Sequence, residues 1–263
     1  MVDKQRAKKF REDMAALQRE LKFGSRMAVI QDKLLDYLAR TKIEPKYLRE
    51  LINVIEPNFR PEFQKFINDT LKKYNNILDI VNDYYSDLGV DIQRDFSRIK
   101  AIEIITRARM GEYEQKAIRE IARQLRKGLL DKKSYKKIAK DLAKVGEKVS
   151  FYSETIARTQ VKAYGQAAVT EKANIAQVFA YEYIGIIRRN TRLFCRHTVG
   201  KTLHIDDIRR MRNGQLEPVI TYRGGWNCHH DWEPDPFVKV EPGQAGTLTD
   251  IDLPGNRSAR VFI

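Results

Sequence analysis

Residues 178–187, Val178-Phe179-Ala180-Tyr181-Glu182-Tyr183-Ile184-Gly185-Ile186-Ile187, decide the fold, because they break a helical pattern that holds for most of the chain before them. The stretch is rich in β-branched and aromatic residues and lacks three-and-four spacing, so it reads as a strand. Downstream, Pro218-Val219-Ile220-Thr221-Tyr222 is expected to form a shorter partner strand ahead of a Gly224-Gly225 turn.

Upstream, apolar residues recur at helical spacing. Ala7, Phe10, Met14, Leu17 and Leu21 make one stripe, which Gly24 ends. Ser25 can cap a second helix with Met27, Ile30, Leu34 and Leu38 on its face, and Pro45 can open a short third through Leu48, Leu51 and Ile55. Pro57 and Pro61 are expected to separate that helix from a fourth, from Glu62 to about Ser86. A long helix capped by Asp91 follows to about Lys127, with Gly111 as a candidate bend. Ser134 then starts a short helix ended by Gly146, and Ser153 caps another through Ala173. The expected class is α+β, mainly α: a long helical N-terminal region over 1–112, a small α+β module with a short sheet over 113–236, and an extended tail over 237–263.

Among 263 residues, 49 Lys and Arg face 35 Asp and Glu, a net charge of +14 that asks for an anionic partner. The first residues are charged, with no apolar signal core behind them, and no stretch approaches the ~18 apolar residues of a membrane span. The expected site of synthesis is therefore a cytoplasm, with no membrane partner. The surplus is uneven. Arg123–Lys148 carries +7, with Arg123, Arg126, Lys127, Lys132, Lys133, Lys136, Lys137, Lys140 and Lys144 as candidate DNA-binding residues. Such a face is either merely solvated or binds the phosphate backbone without base preference. A second basic stretch, Arg188 to Arg223, adds to the field, while residues 231–252 carry −5.

All four histidines and both cysteines fall between 195 and 230. Cys195-Arg196-His197 and Cys228-His229-His230 form two Cys-x-His hooks, a donor set of two thiolates and two imidazoles suited to a structural zinc at Cys195, His197, Cys228 and His230. One intervening residue is short for such hooks, so an alternative stands in which both thiols are buried apolar groups. A disulfide is disfavoured by the compartment. A metal-dependent nuclease is the catalytic alternative, using His, Asn227 and Asp231. It lacks a clear carboxylate set, since Asp206 and Asp207 are adjacent on a helix and diverge, and there is no phosphate-binding loop or Ser-His-Asp order.

Taken in order, the motifs resemble one family. Ile156-Ala157-Arg158-Thr159-Gln160 with Ala163 and Ala167 precedes a strand; Thr191-Arg192-x-x-Cys195 and Gly200-Lys201 follow; Gly224-Gly225-Trp226-Asn227-Cys228-His229-His230-x-Trp232-x-Pro234 closes the series. This is similar to the phage Mu protein F-like minor head proteins, over roughly 113–236. Gln160 stands where the family usually has Glu, His229 where it has Arg, and His230 in place of a second Cys, which retains a metal donor. The resemblance implies a non-enzymatic minor capsid protein of a tailed phage. Its implied place is the head interior of the virion near the portal, after synthesis in the bacterial host cytoplasm, with roles in head morphogenesis and genome packaging or ejection. Implied partners are the portal protein, major capsid or scaffold proteins, and double-stranded DNA bound non-specifically.

Overall fold

The computed structural model describes residues 4–40, 48–86, 89, 91–93 and 96–243. The chain is mainly helical, with one small antiparallel sheet. Five helices come first: α1 (Lys4–Arg19), α2 (Gly24–Arg40), α3 (Leu48–Tyr84), α4 (Ser97–Leu130) and α5 (Tyr135–Ile175). The strand β1 (Ala180–Ile184) follows, then α6 (Leu193–Thr198), β2 (Thr202–His204), α7 (Ile205–Arg210), α8 (Val219–Tyr222) and β3 (Asp231–Pro234). No described helix is long and apolar enough to cross a membrane.

Two compact units are assembled from non-contiguous segments, 19–71 with 106–157, and 1–18 with 72–105 and 158–262. The first is all helix, around a cluster of phenylalanines. Phe23 lies in the link before α2, with its ring 5.2 Å from Phe63 and 5.1 Å from Phe66, and its amide donates to Glu154 Oε1 at 2.9 Å. The second holds the sheet. Its core gathers Tyr181, Tyr183, Phe194, Leu203, Ile208, Val219 and Trp232, and Tyr74 of α3 stacks on Tyr164 of α5 at 3.9 Å between centroids.

Longer helices replace several expected short ones. α3 runs unbroken through Pro57 and Pro61, although each interior proline costs about 3 kcal/mol through a missing hydrogen bond and a ring clash. Burial of Ile55, Phe59, Phe63 and Phe66 along the same face offsets that cost. α5 likewise absorbs two expected helices. Gly146 is a packing position rather than a terminator, since a Cβ there would run into the side chains of Gln31 and Met27. Ser153 is no cap; its hydroxyl bonds back to Val149 O at 2.8 Å. The long α4 begins at Ser97, later than a cap at Asp91 implied.

The sheet order is β2-β1-β3, so the strand read at 178–187 is central. Pro218–Tyr222 is not its partner. Val219–Tyr222 forms a single helical turn that ends at Arg223 with a positive φ of 53°, and all four of its residues are buried. Its partners are β2, which pairs Leu203 with Tyr181, and β3, which pairs Trp232 with Tyr183 and Glu233 with Glu182. The expected tail falls mostly on residues 244–263, outside the described residues.

Candidate metal centre and basic helix face

Cys195 sits on α6 and Cys228 on the loop between α8 and β3, with His230 just before that strand; all three are buried. Their donor atoms lie within 4.8 Å of one another. The two sulfurs are 3.8 Å apart, and Cys228 Sγ is 3.6 Å from His230 Nδ1. Gly224 allows this approach, because a Cβ there would strike Cys195 Sγ and come within 3.1 Å of Cys228 Sγ. Both cysteines are free thiols.

The surroundings favour negative charge on Cys228. Its sulfur accepts amide hydrogen bonds from Gly224 at 3.4 Å and His230 at 3.5 Å. The hydrogen bond from Cys195 is the main cause that holds the Cys228 thiol well below its ordinary pKa, with His230 and the Arg223 guanidinium adding to it. Cys195 is pushed up by the same hydrogen bond and by burial. Of the pair, Cys228 is thus the thiol that gives up its proton first. Arg223 is fully buried, donates Nη1 to Lys162 O at 2.8 Å and has Asp231 3.8 Å from its Nε. Lys162 in turn donates Nζ to Cys228 O at 2.9 Å, and burial lowers its pKa.

Tyr183, on central β1, is the residue that sequence reading missed. Its hydroxyl lies 3.4 Å from Cys195 Sγ and 3.5 Å from Cys228 Sγ, and its ring stacks on His230 at 5.5 Å with 12° between planes. Only the inward phase of Tyr181 and Tyr183 in the strand hinted at it. His197 does not join the group: it is exposed on α6. His204 is used elsewhere, capping α7 by accepting the Asp206 amide at 3.2 Å. Asp206 is exposed and Asp207 buried, where it pairs with Arg210. Cys195, Cys228 and His230 also line a cavity of about 700 Å³ shared with Lys162, Arg192 and Trp232.

β3 is held in place from α5. Gln166 Nε2 donates to Trp232 O at 2.9 Å while its Oε1 accepts the Trp232 amide at 3.0 Å. The motif residue Thr159 accepts the Asn227 amide at 3.0 Å, tying the α5 motif to the Cys228 loop.

The basic segment spans the end of α4 and the start of α5. Lys127, Lys132, Lys136, Lys137, Lys140 and Lys144 are exposed. Lys133 is turned inward to Asp141 at 2.9 Å, Arg123 pairs with Glu120, and Arg126 is only half-exposed. Much of the second basic stretch is used internally. Arg196 donates to the carbonyls of Arg188, Arg189 and Thr191, Arg192 to that of Trp226, and Arg223 is buried. Arg209 and Arg212 pair with Asp206 and Glu217.

A family model described as phage Mu protein F like protein matches residues 119–230, a span that contains both the Cys/His group and the lysine face. No curated protein and no solved structure gives a significant match.

Proposed function

We propose, from the match of residues 119–230 to the phage Mu protein F-like family, that the chain is a minor capsid protein acting in head morphogenesis of a tailed phage. Its place is the head interior near the portal, where it contacts portal, capsid or scaffold subunits and the packaged genome during packaging or ejection. The division into a helical contact region (1–112), the module (113–236) and a tail (237–263) belongs to the same reading. So does a structural zinc, which would tie α6 to the loop before β3. The role is structural, with binding rather than turnover as its chemistry.

One observation carries the DNA part: six lysines of the module, Lys127, Lys132, Lys136, Lys137, Lys140 and Lys144, stand exposed along one stretch of chain that holds few acids. Each phosphate neutralised releases counterions, so binding should fall steeply with salt and show little base preference. The experiment is anisotropy titration of duplex DNA by wild type and by a variant with Lys136, Lys137, Lys140 and Lys144 changed to Gln. The variant's salt slope is expected to flatten by about 3–4. An unchanged slope would move the contact off this face. Mass spectrometry of procapsids and mature particles tests the head role, which fails if neither contains the polypeptide.

A further inference from the structure

Two sulfurs bound to a tetrahedral zinc at about 2.3 Å stand about 3.8 Å apart, and a sulfur and an imidazole nitrogen about 3.6 Å apart. The separations here are 3.8 Å for Cys195 to Cys228 and 3.6 Å for Cys228 to His230. An oxygen ligand at about 2.0–2.2 Å would lie about 3.5–3.7 Å from each sulfur. The Tyr183 hydroxyl lies 3.4 and 3.5 Å from the two. Four side chains from β1, α6 and the loop before β3 thus hold spacings close to tetrahedral values on four of the six edges.

We infer that Cys195, Cys228, His230 and Tyr183 form a site for a thiophilic, tetrahedral divalent ion of the zinc class, with the Tyr183 oxygen taking the fourth corner in place of His197. The inference rests on the zinc reading above and sharpens it. His197 is exposed on the far part of α6, whereas Tyr183 is buried and held by stacking on His230. The amide bonds from Gly224 and His230 to Cys228 Sγ orient that sulfur as outer partners of a metal ligand do. The cavity beside the group gives an ion a route in. Binding displaces the Cys195 thiol proton and the phenol proton to solvent.

The test uses full-length protein purified without metal-affinity resin. Elemental analysis should find one zinc per chain, and replacement by Co(II) should give thiolate charge-transfer absorption with tetrahedral d–d bands. His197→Ala should keep zinc and spectrum unchanged. Tyr183→Phe should weaken Co(II) affinity about 10–100-fold and alter the d–d envelope. Zinc addition to the wild-type apoprotein should give the ultraviolet difference spectrum of one tyrosinate, a readout independent of how well the variant folds. Zinc well below one per chain in fresh reduced protein overturns the zinc reading itself. Stoichiometric zinc with no tyrosinate signal, or loss of zinc in His197→Ala, overturns only the assignment of Tyr183.

Discussion

At the scale of single residues, one lysine is held back from the basic face by Asp141, with Asp131 3.9 Å away. The Lys133 hydrogen bond holds the Asp141 carboxyl below the usual aspartate value, with Lys144 and Lys137 helping. A depressed folded pKa means that the pair's contribution is present above the unfolded value and is lost as pH falls through the folded one. At neutral pH, then, Lys133 stays turned from solvent. Asp141→Asn should free it, tighten DNA binding and steepen the salt slope by about 0.9; a titration at several salt concentrations checks this, and weaker binding would contradict it. Gly224 is the opposite kind of residue, one defined by what it lacks. Gly224→Ala forces a methyl between the two sulfurs and should cost about 1–3 kcal/mol by chemical denaturation. Equal stability would mean that the sulfurs are free to part.

At the scale of elements, α3 shows how burial overrides local punctuation. Pro61→Ala should raise the denaturation midpoint, for a gain in stability of roughly 1–2 kcal/mol once proline's restriction of the unfolded chain is subtracted. A lower midpoint would show that the helix has relieved the ring. Phe63, packed among Phe23, Phe59, Phe66 and Tyr113, should cost about 3–5 kcal/mol as Phe63→Ala. These cases mark how far the sequence could be read. Apolar stripes made the helices legible, because periodicity reports which face is buried. Where one helix stops was hidden at Pro57, Pro61 and Gly146, since the compensating contacts come from residues distant in sequence. β1 was legible from its β-branched and aromatic run, whereas four-residue β3 was masked by acidic neighbours, and α8 carries strand-forming residues in a helical turn. The clustering of Cys195, Cys228 and His230 was visible in residue type alone. Tyr183 was not, because its hydroxyl meets the sulfurs only after β1 and the Cys228 loop come together.

For the molecule as a whole, the surplus of fourteen positive charges overstates what is free to meet an anion. Most guanidiniums between Arg188 and Arg223 are used on carbonyls and carboxylates of the chain itself, so neutralising Arg196, which holds the carbonyls of Arg188, Arg189 and Thr191, should unsettle residues 188–191 rather than weaken DNA binding. Hydrogen exchange and DNA titration of Arg196→Gln separate the two outcomes, and a large loss of DNA affinity with unchanged exchange would refute this division of roles. The Gln166 clamp has a consequence of another kind. Trp232 turns its N–H and C=O away from β1, and a glutamine side chain, which carries the same donor and acceptor as a peptide unit, meets both; two residues on, Pro234 has no N–H to offer. The outer rim of β3 is thereby closed to strand addition. A second copy of the chain could not extend the sheet through that rim, which leaves β2 as the sheet's remaining edge.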